Sequence, residues 1–453
     1  MKIISVLLTV CAFTGTVLIV PAPFVFGESP IVQSQGTANN SEKNLFLPVD
    51  IEADPPKVGQ PTIIRSRFTG INFDVLGTRT KPATSINLNL FENVNFKAFF
   101  DRKETNLSDG IGWIGHLEGI EHSQVVLVVT DGILVGSVSM PGESYEIHPA
   151  ANGIHTVDQI DQSAFPPEMD PIPVPASRNE VVRDVSEPDT CDSITVLVAY
   201  SPEARIADGG TVAIEARIAL AVVETNQSYV NSGLVQRLTL VHTMQTNTDE
   251  AENHFSTDLY ALQNTTDGIF DNVDAARETY KADLVALIIE EPTYCGLAFL
   301  NSTADWAFSV THRTCATGYY SFGHELGHNM GAHHDWYVND EQNIHKGFVN
   351  VTDGWRTIMA YNSLCSDQAS YCTRLQYWSN PRVYYGSDPM GVGDDGPMHC
   401  VEGSFTPDPS SCRADNRERL NSTCATIANF RIGGIVTTTP KFSPWLQPLL
   451  LSD

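Results

Sequence analysis

Residues 321–335 read Ser-Phe-Gly-His-Glu-Leu-Gly-His-Asn-Met-Gly-Ala-His-His-Asp. His324 and His328 are four apart, so on a helix both imidazoles stand on one face, about one turn from each other. That separation lets two neutral imidazole nitrogens reach one zinc ion at about 2.0–2.1 Å. Glu325, beside the first histidine, can then take a proton from water on the metal. Gly331 follows His328 by three residues; glycine takes positive φ freely, so it can end the helix and swing the chain back. The turn carries His334 toward the metal as a third ligand. Its neighbour His333 competes for that place, and the register from Gly331 favours His334. Three protein ligands with one open position make a catalytic zinc site rather than a closed structural one. A bare His-Glu-x-x-His can arise by chance, but Gly331, His334 and Asp335 at fixed offsets add several independent coincidences.

The elements that must position these residues begin at Cys191. Residues 193–200, 237–244 and 284–289 read as strands, and 212–230 and 273–281 carry apolar residues at helical spacing. Strands alternating with helices predict α/β layers around a largely parallel sheet. The segment 295–315 reads as an edge strand with a loop before it, stapled by Cys295 and Cys315. Before Cys191 the texture differs. Residues 85–91 alternate strictly, 125–129 form a short apolar run, and Asp131-Gly132 is a turn signal. These features predict a β-rich domain over 63–160, after a loose polar leader at 28–60. Residues 165–190 are Pro-rich and charged, the composition of a protease-accessible linker.

The chain has 453 residues, 42% apolar, with a formal net charge of −27. That apolar content excludes a mostly disordered chain, and so acidic a surface repels phosphate, which excludes a nucleic-acid binder. Met1-Lys2 and the apolar stretch 3–20, with small residues at Ala22 and Gly27, read as a secretory signal peptide; an uncleaved anchor is the rival. No later run reaches the roughly 18 apolar residues of a span, so no stable membrane insertion is expected after signal removal. Apart from Cys11, all cysteines lie at or after Cys191, an even set that an exported chain would pair as disulfides. The expected organisation is a signal peptide at 1–27, a propeptide at 28–185, a zinc protease domain at 186–432 and a tail at 433–453. The acidic turn Gly393-Asp394-Asp395-Gly396 is a possible Ca2+ site, with a solvated turn as its plainer reading.

Taken together, the 321–335 segment and the loop Thr357-Ile-Met-Ala-Tyr361 resemble the metzincin zinc endopeptidases. Asp335 after the third histidine looks like the adamalysin (reprolysin) type. Cys295-Gly, Ala307-Phe-Ser-Val and Trp378-Ser-Asn-Pro are similar, more narrowly, to the bacterial peptidyl-Asp metalloendopeptidases. The resemblance spans about 192–432. It implies a metzincin-type catalytic domain (a twisted, mostly parallel sheet with an edge strand, an active-site helix and a Met-turn), with Met359 an apolar floor beneath the zinc. Tyr361 departs from the animal adamalysins and matches astacin-like members. Its phenol either touches the metal or the oxyanion, or is an ordinary buried tyrosine.

The resulting expectation is a secreted endopeptidase that holds one catalytic Zn2+ on His324, His328 and His334. A zinc-bound water, activated by Glu325 as general base, would hydrolyse protein and peptide substrates. The substrate would lie along an edge strand near 307–311. An Arg after the Met-turn, Arg374 or Arg382, would favour Asp after the cleaved bond; a surface ion pair is the alternative for either. The cysteine-free propeptide would act as inhibitor until cut near Arg183, with a linker carboxylate such as Asp170 or Asp189 at the site. The rivals are a catalytically silent secreted binding or adhesion protein on a metzincin scaffold and a zinc hydrolase of non-peptide bonds.

Overall fold

Residues 125–128 are apolar without a break, the pattern of a strand covered on both faces. The computed structural model describes residues 44–51, 60–104, 110–150, 152–175, 191, 193–251, 254–397 and 399–431, and it shows both covers. The strands are β1 (Phe46–Leu47), β2 (Ile63–Ile71), β3 (Ser85–Phe91), β4 (Val94–Glu104), β5 (Gly110–Leu117), β6 (Gln124–Thr130), β7 (Ile133–Met140), β8 (Glu143–Pro149) and β9 (His155–Ile160). They form one antiparallel sheet in the order β1-β2-β9-β8-β7-β6-β5-β4-β3. One face buries Leu88, Trp113, Leu127, Tyr145 and Ile147. The other lays Ile114, Val126, Val128 and Val135 into the core of the second half. Part of the expected loose leader is therefore strand: Leu45 and Phe46 are fully buried and Phe46–Leu47 pair with β2.

The second half contains β10 (Ile172–Pro173), β11 (Ile194–Tyr200), α1 (Pro202–Asp208), α2 (Thr211–Asn231), β12 (Leu238–Gln245), α3 (Phe255–Gln263), α4 (Asp271–Tyr280), β13 (Leu284–Ile289), β14 (Gly296–Leu300), β15 (Phe308–His312) and α5 (Ser321–Asn329). The sheet order is β10-β14-β15-β13-β11-β12; only the β14–β15 pair is antiparallel. The mixed α/β reading therefore holds, but the position of the edge does not. Residues 308–312 lie inside the sheet, between β13 and β14, and β14 is the outermost strand of the catalytic half, with β10 paired beyond it. A strand's own residues report that it is a strand; its place in the order depends on partners far away in sequence.

Helix α2 is apolar nearly all round, and the reason is its setting between two sheets. Ile218, Leu220 and Val222 share one core with β6 and β7 on one side and with Val196, Val198 and Ala286 on the other. The described residues accordingly make one compact unit. The cysteines pair as Cys191–Cys424, Cys295–Cys315, Cys365–Cys372 and Cys400–Cys412. The stretch 1–27, Arg183, Asp189 and the tail 433–453 lie outside the described residues.

One buried acid sits where the two sheets meet. Glu224 of α2 accepts from Gly318 N–H at 3.1 Å, and burial, reinforced by Glu146, pushes its carboxyl up to about 8. A folded pKa above the unfolded value means the folded chain holds this proton more tightly. The stabilisation is complete below about pH 4.3 and is lost as pH rises toward 8. The melting temperature of the full chain is expected to fall by a few degrees across that window, and Glu224→Gln to flatten the fall. Calorimetry at several pH values checks it; an unchanged slope in the variant would rule Glu224 out as the titrating group.

Candidate active site

Helix α5 does what the 321–335 spacing requires. His324 and His328 project from one face, and the helix ends at Gly331, whose φ is +89°. The turn is closed by Gly331 N–H to His328 C=O and Ala332 N–H to Gly327 C=O, both 2.9 Å. It returns His334 to the same place. The Nε2 atoms stand 3.1 Å (His324–His328), 2.9 Å (His328–His334) and 3.2 Å (His324–His334) apart, and all three rings are buried. His333 points elsewhere, its Nδ1 3.0 Å from Glu341.

The outer nitrogens bear on the tautomers. His328 Nδ1–H donates to Ala332 C=O at 2.8 Å, and His324 Nδ1 lies 2.9 Å from Ile358 C=O and 2.5 Å from Arg374 Nη2. With that proton outward, His328 Nε2 carries a lone pair. Burial first, with Arg374 adding to it at His324 and His334 at His328, holds both histidines well below their ordinary value, so they are neutral. Lone pairs turned inward about 3 Å apart repel one another, and a cation relieves that repulsion. Ligands at about 2.0–2.1 Å in a tetrahedron lie about 3.3 Å apart, close to the spacings found. The donor set fits a zinc ion.

Glu325 stands next to this centre. Both carboxylate oxygens are buried and make no hydrogen bond. Burial, then the neighbouring Glu168, push its carboxyl well up. Gly296, the first residue of β14, makes room for it: a Cβ there would fall 2.6 Å from Glu325 Cδ. The Cys295–Cys315 disulfide ties that end of the edge strand to the turn before α5.

A family model described as Reprolysin_5, metallo-peptidase family M12, matches residues 190–379. The peptidyl-Asp metalloendopeptidase of Stenotrophomonas maltophilia is 35% identical over 323 residues, covering 68% of this chain and 71% of that protein. The chain belongs to this family of bacterial metalloendopeptidases. The peptidyl-Asp metalloendopeptidase of Xanthomonas campestris pv. campestris is 34% identical over 326 residues, covering 70% of this chain and 72% of that one. The one from Pseudomonas fragi is 34% identical over 211 residues, covering 46% of this chain and 100% of that one.

In this metalloendopeptidase the residues around the histidines act as braces. Asp335 is buried; its two oxygens accept from Tyr337 N–H (2.9 Å) and Tyr361 N–H (2.8 Å), joining the turn after His334 to the 357–361 loop. Met359 is fully buried under α5, where Gly327 leaves space for its sulfur and for Trp378. The Tyr361 ring lies 4.2 Å from that of His334, its hydroxyl is buried without a partner, and burial together with Glu168 raises it well above its ordinary value. It therefore keeps its proton and is a donor. Asn329 Nδ2 donates to Phe299 and Phe308 C=O, both 2.9 Å, fixing α5 to β14 and β15.

The linker runs through this site. Cys295 N–H donates to Pro167 C=O (2.9 Å), Met169 N–H to Gly296 C=O (3.1 Å), and β10 pairs parallel with Phe299–Leu300. Glu168 points inward; its ligand atom and those of His324 and Glu325 all lie within 4.8 Å of one another. Asp170, one of two linker carboxylates considered for the metal, is 3.5 Å from Nδ1 of His334, on the outer side of that ring. Sequence reasoning missed Glu168 because Pro-rich flanks read as a spacer, and Ser321 and Gly296 because neither type signals chemistry. The 393–396 turn shows Asp394 exposed, 3.6 Å from Arg413. Among the described residues it joins no group of three possible metal-binding side chains, and those groups both lie at this site.

Proposed function

We propose that the chain is a secreted zinc endopeptidase of the metzincin type, made as a zymogen, that cuts before acidic residues, Asp above all. The observation that carries this reading is the convergence of three buried imidazole Nε2 atoms beside a buried carboxyl of α5 that faces Gly296 at the start of β14. His324, His328 and His334 would hold the zinc. A bound zinc ion supplies Lewis acidity, polarising a carbonyl and making water a better acid. Glu325 accepts the proton of the attacking water and delivers it to the leaving amine, so no covalent intermediate is needed. Tyr361, a neutral donor beside the His334 ring, would bind the developing oxyanion. The substrate main chain hydrogen-bonds along Gly296–Leu300.

Latency follows from what already lies there. Residues 167–173 take the edge hydrogen bonds that a substrate needs, and Glu168 fills the space beside Glu325. Residues 28–185 would thus act as propeptide, removed by a cut in the linker. The signal-like residues 1–27 and the four disulfides support export. The acidic preference rests on the relatives' name and on Arg374 at the site. The test is digestion of casein by the full chain before and after limited proteolysis of the linker, with a chelator and zinc re-addition, and mass-spectrometric mapping of the ends. Zinc-restored cleavage only after linker cutting, with Asp enriched at new N-termini, is expected. Chelator-resistant cleavage contradicts the metal, equal activity before cutting contradicts latency, and ends without Asp contradict the substrate class.

A further inference from the structure

Two arginines follow the 357–361 loop, and the structure separates them. Arg382 is exposed on a surface strand. Arg374 is buried, its side chain 1% exposed, and lies against the metal-site histidines. Most of its hydrogen bonds go to fixed backbone: Nε and Nη2 donate to Ile358 C=O (2.9 and 2.6 Å) and Nη1 to Tyr319 C=O (3.0 Å). The guanidinium also sits over the Tyr319 ring, 4.8 Å from its centre. It is therefore held in place by the catalytic half itself. Nη2 also lies 2.5 Å from His324 Nδ1; the second Nη1–H donates to Glu168 Oε1 at 2.7 Å, and the Ser321 hydroxyl donates to the same oxygen at 2.6 Å.

Removing the linker takes away the carboxylate oxygen that both donors share, leaving Ser321 Oγ, 3.4 Å from Nη1, as the polar atom beside that N–H. A cationic donor without its carboxylate is unfavourable, and an arriving carboxylate restores the pair. Glu325 is the other acid near Arg374, and its position beside the reacting bond is already taken by its role as base. The side of the bond is also fixed. Glu325 passes its proton to the leaving amine, so the residue that owns that nitrogen lies beside Glu325. Its side chain, one carbon from the nitrogen, enters the space that Glu168 now fills.

We infer that Arg374, with Ser321, selects an acidic side chain on the residue immediately after the cleaved bond, and that Glu168 of the chain's own linker occupies this pocket as a substrate mimic until it is removed. This rests on the endopeptidase reading above and names the residues that set its substrate class. The shared chemistry is a single carboxylate oxygen received by an N–H and an O–H, one of them cationic.

The test uses the full chain after limited proteolysis of the linker, and peptides identical except for Asp, Glu, Asn or Ala after the bond. Wild type favours the acidic peptides. In Arg374→Gln the Asp-to-Ala ratio of kcat/KM falls by about 10²-fold, whatever loss both peptides share. Ser321→Ala, which keeps the cation, lowers the ratio by about 10-fold. A peptide of residues 165–175 inhibits wild type, and its Glu168→Gln form inhibits about 10²-fold less; against Arg374→Gln the two forms are equal. An acidic preference that survives both substitutions, or equal inhibition of wild type by both peptides, overturns the assignment while leaving the endopeptidase reading intact. A wild type with no acidic preference overturns the substrate class as well. If Arg374→Gln does not fold, an unchanged ratio in Ser321→Ala overturns the pocket by itself.

Discussion

Replacing Glu325 with Gln is expected to lower turnover by about 10³-fold or more while leaving the metal content unchanged. Gln is nearly isosteric with Glu, so the space cleared by Gly296 still accommodates it. The imidazole Nε2 atoms are untouched, and the Nδ1 contacts with Ile358 and Ala332 remain. What is lost is the one group at the reacting bond that can take a proton from water and return it to an amine. The loss should fall on kcat, with KM changed by less than about threefold, because in this reading the edge hydrogen bonds of β14 would set ground-state binding. Kinetics with a defined peptide, alongside metal analysis of the same preparation, check both halves. A variant that digests casein like wild type removes Glu325 from its role.

His328→Ala is expected to abolish activity by a different route, through loss of the metal. Two remaining imidazoles make a far weaker site than three. The stability signature separates this from misfolding. Metal that binds only the folded chain raises the melting temperature by mass action, so wild type stripped of metal should melt lower and recover when zinc is added. In His328→Ala the crowding of the Nε2 atoms is relieved, so the chain should fold and melt close to metal-free wild type. It should not respond to zinc. A zinc-dependent rise of the wild-type size in the variant would show that His328 is not a ligand.

The zinc segment was the most legible part of the sequence because its geometry is local. A four-residue spacing on a helix, a glycine that ends it and a histidine after the turn need no distant partner to be read, and the structure brings those rings together. The strand at 284–289 was equally clear, a bounded apolar run buried on both faces. Where long-range pairing decides, sequence reasoning failed. Residues 307–311 look like an edge strand as readily as 296–300 do, and only the partners of each tell them apart. Arg374 and Arg382 are the same residue type eight positions apart; one is buried because Ile358 and Tyr319 converge on it from other elements. Glu168 was hidden by its neighbours, since prolines that mark a spacer also hold a chain extended along a strand edge.

The most direct measurement is elemental analysis of linker-cut, active protein, repeated after dialysis against a chelator and after zinc is returned. One zinc per chain is expected, with metal and activity falling together and recovering together at one equivalent. Full activity in material that contains no zinc would contradict the assignment of His324, His328 and His334 as the catalytic metal site.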